Sequence, residues 1–187
     1  MPRGKESDLA EHTVATREAY RGAFLDVRDD TVRLPDGSAA KREWIRHPGA
    51  VMIIPVLDDG DLVMERQYRY PLERDFIEFP AGKIDPGETP LATGQRELFE
   101  ETGYQGGRWR HLTTVHPVIS YSNERIEIYL AEGVVSEGRR ALDEGEFLEV
   151  FTVGLSQALE WLEQGLITDT KTVIGLLWLD RLRMRRA

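Results

Sequence analysis

Residues Gly82 to Tyr104 read GKIDPGETPLATGQRELFEETGY, and their punctuation fixes one helix and what it carries. Thr89-Pro90 is a helix start: the hydroxyl can accept from a free first-turn amide, and proline has no amide to leave unpaired. Gly103 suits the left-handed residue that closes a helix. The spacing therefore predicts a helix from Pro90 to Thr102. On it Glu97, Glu100 and Glu101 stand at i, i+3 and i+4 and share a face. They also lie in the last two turns, where the helix dipole is negative. Like charges so spaced cost about 0.2–0.5 kcal/mol per pair, and the dipole adds a similar penalty. Arg96 pairs with Glu100 and offsets only part of this. A helix built for stability alone would not carry such an end, whereas a divalent cation turns the three carboxylates into a ligand set. The ligands are all oxygen, which suits Mg2+ or Mn2+ rather than Zn2+ or Cu2+. An E-x-x-E-E run by itself is usually a solvated face. With Gly82, Glu88, Arg96 and Gly103 at fixed offsets around it, the ligand set is the better reading. Gly94, costly inside a helix, is expected to pack closely against a sheet.

The chain has 187 residues, a net charge of −9 and no cysteine. Its length suits one domain with a small appendage. The acidic balance disfavours a nucleic-acid surface, although metal ions can bridge an acidic enzyme to an anionic substrate. Without cysteine there is no disulfide framework, thiol nucleophile or zinc ribbon. The opening MPRGKESDLAEHT is polar, so no signal peptide is expected, and no run approaches a membrane span. The expectation is a cytoplasmic enzyme with no nucleic-acid or membrane partner. His12, His47, His111 and His116 lack ligand spacing and receive no catalytic role.

Turn residues divide the chain into a disordered polar tail over 1–11, a small β region over 12–48 and a main domain over 49–187. The β region holds alternating segments around the turn Pro35-Asp36-Gly37, too few to bury a core of their own. AVMIIPVL, DLVMERQYRY and DFIEFPAG read as strands leading into the box helix. WRHLTTVHP, RIEIYLAEGV and LEVFTVGL read as strands after it. Ser156 to Gln164 and Thr170 to Met184 read as helices, the second capped by Asp169 or Thr170. In that helix Val173, Leu176 and Leu177 form a stripe that Ile174, Trp178 and Leu179 widen almost all round, which predicts a well-buried element.

The opening stretch also fits G-x5-E-x7-R-E-U-x-E-E-x-G-U, with U apolar, through Gly82, Glu88, Arg96-Glu97, Leu98, Glu100-Glu101, Gly103 and Tyr104. At average usage of roughly 5–7% per fixed residue, chance yields this on the order of 10^-6 per chain. The pattern resembles the box of the Nudix family, which hydrolyses nucleoside diphosphates linked to another moiety. Tyr104 is aromatic where an aliphatic residue is usual. RQYR (Arg66 to Arg69), IEFPAGKIDPGE and WLEQGLITDTKTVIGLLWL, together with the small β region, are similar to the ADP-ribose pyrophosphatase branch, over residues 20–183. One departure is that Val118 follows Pro117 where many of these enzymes have Pro-Gly. The resemblance implies an α+β fold: an α/β/α sandwich with a mixed sheet between helices, preceded by a small antiparallel β region. It also implies a homodimer in which that region is exchanged between subunits and helps form the substrate site.

Roles follow from the same resemblance. Glu97 and Glu101 match the principal metal ligands, Glu100 a further ligand, and the carbonyl of Ala81 a backbone ligand. Glu88 and Arg96 shape the loop and helix. Bound Mg2+ (or Mn2+) would neutralise the pyrophosphate and polarise a water for in-line attack at phosphorus. The branch carries its catalytic glutamate on an acidic loop before a strand, here Asp143-Glu144-Gly145-Glu146. Glu146 is favoured as base, with Glu144 close behind. Glu124 competes, and is read as a substrate or metal-site contact. Trp44, or Phe24, would stack on adenine, Arg69 would bind phosphate with Arg66 as fallback, and Glu78 would accept from ribose hydroxyls. The expected reaction is hydrolysis of ADP-ribose, or a related nucleoside diphosphate sugar, to AMP and a sugar phosphate. The alternatives are hydrolysis of another nucleotide (a GDP-sugar, dinucleoside polyphosphate or oxidised nucleotide) and a non-catalytic ADP-ribose sensor. The sensor is disfavoured because every box carboxylate is present.

Overall fold

The computed structural model describes residues 8–138, 140–142, 145 and 147–185. It divides into two units. One holds the described residues up to His47 together with Val118–Glu124, and the other holds Pro48–Pro117 with the described residues from Arg125 onward.

The first unit is an antiparallel sheet of β1 (His12–Arg21), β2 (Asp26–Arg33) and β3 (Ala39–Arg46), in that order. Ile45 at the end of β3 donates its amide to Tyr121 O at 2.7 Å, which ties in the 118–124 segment. Among the described residues of this unit, Val32 is the one buried hydrophobic side chain, while Val14, Tyr20 and Phe24 are each more than half exposed. Asp26 and Arg28 instead pair on the sheet at 2.6 Å. The sheet thus buries no core of its own, as its length and alternation predicted. Glu11, assigned to the tail by its sequence, pairs with Arg42 of β3 at 2.6 Å. Residues 1–7 lie outside the described residues.

The second unit is a mixed sheet between helices. Its strands are β4 (Ala50–Val56), β5 (Leu62–Arg69), β6 (Arg74–Glu78), β7 (Ala81–Lys83), β8 (Tyr104–Val115), β9 (Ile126–Ser136) and β10 (Leu148–Val153). The order is β10-β5-β4-β9-β8, with β6 on β5 and β7 on β4, and the β4–β9 pair is parallel. The helices are α1 (Pro90–Glu97), α2 (Leu155–Glu163) and α3 (Thr170–Met184). Alternation along β4 builds the two layers. Met52 and Ile54 pack with Phe79, Ala158, Leu176 and Leu179 on the α2–α3 face. Val51 and Ile53 pack with Ile84, Leu98 and Ala131 on the α1 face. This is the α/β/α sandwich the resemblance implied. Gly94 lets α1 approach that sheet, for a β-carbon there would meet Val51 and Trp109 at 3.1 Å.

Two local expectations change. DFIEFPAG is not one strand. Pro80 has no amide for a ladder, so β6 stays on β5 and β7 crosses to β4. The carbonyl of Pro80 accepts from Ile53 N at 2.9 Å, and Phe79 N donates to Thr172 Oγ1 at 3.0 Å. In α3, Leu177 is 54% exposed. The buried stripe runs through Thr172, Gly175, Leu176 and Leu179, and Leu177 lies about 100° round the helix from Leu176. Among the described residues no helix is long and apolar enough to cross a membrane.

Candidate active site

The box starts on β7, where Gly82 pairs with Val51 of β4. The helix opens as its sequence predicts, with Thr89 Oγ1 accepting from Ala92 N at 3.2 Å. It closes at Gly103 with φ of 73°, a left-handed value that costs glycine little. Between these ends the backbone departs from an unbroken α-helix: α1 stops at Glu97, and Leu98–Thr102 form a π-helical turn. A π turn inserted in a helix re-aims the side chains it carries and often marks a functional site.

The carboxylates are arranged around that turn. Glu101 is 4% exposed and accepts from Ala81 N at 3.0 Å. The Glu97 carboxylate lies against Gly82, where a β-carbon would stand 1.9 Å from Glu97 Cδ. Glu100 is turned toward Arg96, whose Nη1 donates to Glu100 at 2.8 Å and to Glu97 at 2.9 Å. The other edge of Arg96 grips both oxygens of Glu88 at 3.1 Å, and Thr93 Oγ1 adds a bond at 2.8 Å. Hydrogen bonds from Arg96 first, then Thr93, hold the Glu88 carboxyl below its usual range. Glu88 therefore braces Arg96 across the loop. Among the described residues no three acidic or imidazole side chains converge as they would around one ion, and the Arg96 fork stands between Glu97 and Glu100. The donor set still fits a hard divalent cation: two largely buried carboxylates, a third beside them and a β-carbon-free surface at Gly82.

A second cluster spans β5 and β6, from Arg69 at the end of β5 to Glu78 at the end of β6. Arg69 Nε and Nη2 donate to the two oxygens of Glu78 at 2.7 and 2.8 Å, a bidentate fork. Lys171 Nζ also donates to Glu78, and to Asp169 Oδ2 at 3.0 Å. Burial pushes the Glu78 carboxyl up, but bonding to Arg69 and the charges of Lys171 and Arg69 outweigh it, so the net shift is downward. Hydrogen bonding to Glu78 raises Arg69, and the charges of Glu65 and Glu101 add to this. Arg69, Leu72, Phe76, Glu78, Asp169 and Lys171 line a cleft of about 310 Å³. Arg66, the fallback for Arg69, faces away from it and pairs with Glu149 at 2.5 Å.

The sequence reading missed Lys171. Its signal was a cation in the first turn of a largely apolar helix, the end where the dipole opposes it. Glu65 was missed too: it is 1% exposed and stands opposite Glu78 across β5 and β6.

The remaining candidates belong to the first unit or to residues that are not described. Trp44 lies on β3 and donates Nε1–H to Asp30 at 2.8 Å. Phe24 is 56% exposed and meets the His47 ring edge-on, with centroids 5.8 Å apart. Glu124 is in the same unit, 3.9 Å from His47 Nε2. Glu144 and Glu146 lie outside the described residues. The strand that follows them begins at Leu148, opposite Gln67 of β5.

This fold and box meet independent likenesses. A NUDIX domain model matches residues 46–172, and a model for the nucleoside diphosphate sugar hydrolase N-terminal domain matches 11–45. An ADP-ribose pyrophosphatase of Bacillus subtilis (strain 168) is 41% identical over 173 residues, 92% of this chain and 94% of that one. A methanol dehydrogenase activator of Bacillus methanolicus is 39% identical over 171 residues, 91% and 92% of the two chains. The crystal structure of an ADP compounds hydrolase superposes with a TM-score of 0.85, covering 98% of this chain and 99% of that one at 24% identity, and so supports the fold. The chain belongs to the Nudix hydrolase family. Within it, the protein is an ADP-ribose pyrophosphatase-like enzyme.

Proposed function

We propose that this enzyme hydrolyses the pyrophosphate bond of ADP-ribose, or of a related nucleoside diphosphate sugar, to AMP and a sugar phosphate, with Mg2+ or Mn2+ as cofactor. The observation that carries the reading is the packing of Glu97 against Gly82 and of Glu101 on the Ala81 amide. Two acidic groups are kept together at one spot, an arrangement that a cation makes favourable. Glu97, Glu100, Glu101 and the Ala81 carbonyl would hold the ion. A divalent cation bound there supplies charge neutralisation of the diphosphate and acidifies the attacking water.

The chain's own residues do the rest. Arg69 takes a phosphate oxygen through the Nη1 edge that its bonds to Glu78 do not use. With its side chain only 3% exposed and both oxygens engaged, Glu78 orients Arg69 in preference to accepting from ribose. Glu146, with Glu144 as the nearest substitute, takes the proton of the water as its oxygen bonds to phosphorus. The bridging P–O bond breaks, and its electron pair leaves with the departing phosphate. Glu124 contacts substrate.

The proposal includes a homodimer with an exchanged N-terminal region (12–48) serving the hydrolase domain (49–187). It is supported by the exposure of β1 along its whole length, with Val14 and Tyr20 among the side chains left uncovered, because exposed apolar side chains on a sheet offer a place for a partner to pack. In that dimer Trp44, or Phe24 in its place, serves the adenine of the partner's site. A panel of nucleotide sugars incubated with Mg2+, with products identified by mass, tests the reading. ADP-ribose should rank with the best substrates and yield AMP, and a panel in which no nucleoside diphosphate sugar is cleaved would overturn it.

A further inference from the structure

The chain Asp169–Lys171–Glu78–Arg69 joins the start of α3 to the ends of β5 and β6, and its members are far apart in sequence. Asp169 caps α3: its Oδ2 accepts from Thr172 N at 3.0 Å, from Thr172 Oγ1 at 2.7 Å and from Lys171 Nζ at 3.0 Å. Thr172 Oγ1 in turn accepts from Phe79 N, next to Glu78. The first turn of α3 is thereby fastened to the Phe79–Pro80 link between β6 and β7. Lys171 is 13% exposed and Glu78 only 3%. Arg69, at 41%, is the member open to the cleft.

We infer that Lys171 is a positioning residue for the diphosphate: it fixes Glu78, and through Glu78 the plane of the Arg69 guanidinium, and it cancels the Glu78 charge so that the cation of Arg69 remains available to an anion. This rests on the proposed part of Arg69 in binding. Two cations and two carboxylates give the set no net charge. Without Lys171 the cleft would carry one net negative charge, and Glu78 would keep one fork partner and no anchor on α3. Leaving a buried carboxylate half paired weakens whatever depends on its geometry. A neutral side chain at position 171 therefore lowers affinity for an anion more than it slows the chemical step.

The test compares parent, Lys171→Met and Lys171→Arg with the nucleoside diphosphate sugar that the parent hydrolyses best. It reads kcat and KM with Mg2+, the Kd for the same compound without metal by calorimetry, and the melting temperature. Lys171→Met should raise KM and the metal-free Kd about tenfold or more while kcat stays within about threefold. Lys171→Arg, which keeps the charge, should recover most of the affinity. Lys171→Gln, able to hydrogen-bond but uncharged, takes the place of Lys171→Met if that variant does not fold, with the same expectation. Unchanged KM and Kd in a folded neutral variant, or a loss confined to kcat, overturns the inference while the parent's activity stands. A parent that cleaves no such compound overturns the proposed function and this inference with it.

Discussion

The Glu97 carboxylate occupies the space that a β-carbon on Gly82 would need, 1.9 Å from such a carbon to Cδ and 2.0 Å to Oε1. β7 and the last turn of α1 meet there with nothing larger than a hydrogen between backbone and carboxylate. Glycine at this point of the box is thus a demand of the acidic face itself, and the box pattern and the three-dimensional contact describe one constraint.

That contact makes Gly82→Ala informative. The clash is with the far end of a flexible side chain, so Glu97 can swing away at modest cost to stability. The substitution should lower kcat by about 10²-fold, the scale of a 1 Å misplacement, while the melting temperature changes little. Full activity in Gly82→Ala would mean that the position of Glu97 does not matter.

The acidic loop is tested by kinetics. Glu146→Gln should depress kcat strongly with little change in KM, as expected for a group acting in the transition state. Glu124→Gln should be milder. The reverse order would move the base to Glu124.

Trp44 tests the exchanged dimer. Trp44→Ala should raise KM by an amount equivalent to about 1–3 kcal/mol of base stacking. Mixing Trp44→Ala with Glu101→Gln under subunit exchange should restore activity, because one site of a mixed dimer then bears both defects and the other neither. If mixed dimers form and activity does not return, Trp44 serves its own subunit.

Glu78 gives stability a pH signature. Its folded pKa lies below the unfolded one, so its contribution is fully present above the unfolded value of about 4.3 and fades as pH falls through the lower folded value. Lys171, raised in the fold despite burial because of Asp169 and Glu78, contributes below its unfolded value of about 10.4 and loses that as pH rises through the folded one. Glu78→Gln should cost roughly 3 kcal/mol at neutral pH, the low end for breaking a buried pair, because Arg69 is partly solvated. Its melting temperature should also fall less than the parent's between pH 7 and pH 3, on thermal unfolding followed by circular dichroism. A parallel decline of both proteins would remove Glu78 from the acid transition.

What could be read from sequence here is what is local. Thr89, Pro90 and Gly103 bound the box helix because capping and left-handed closure act within a few residues. Apolar runs and turns located the strands, and the alternation of β4 is why one strand feeds two cores. What escaped depends on distant partners. The π turn belongs to a region where Glu101 meets the Ala81 amide, 20 positions away. Lys171 and Glu78 lie 93 positions apart, and no window on either shows the other. The split of β6 from β7 needed Pro80 read as a ladder break. Leu177 was misjudged because a nearly all-apolar helix hides which of its faces is covered.

The most direct measurement follows ADP-ribose by phosphorus NMR with the parent and with Glu101→Gln, each with Mg2+ and with excess chelator. The account predicts conversion to two phosphomonoesters, AMP and ribose 5-phosphate, by the parent with Mg2+ alone, and loss of that conversion by orders of magnitude in Glu101→Gln while the protein stays folded. Undiminished conversion by Glu101→Gln, or by the parent in chelator, would contradict it.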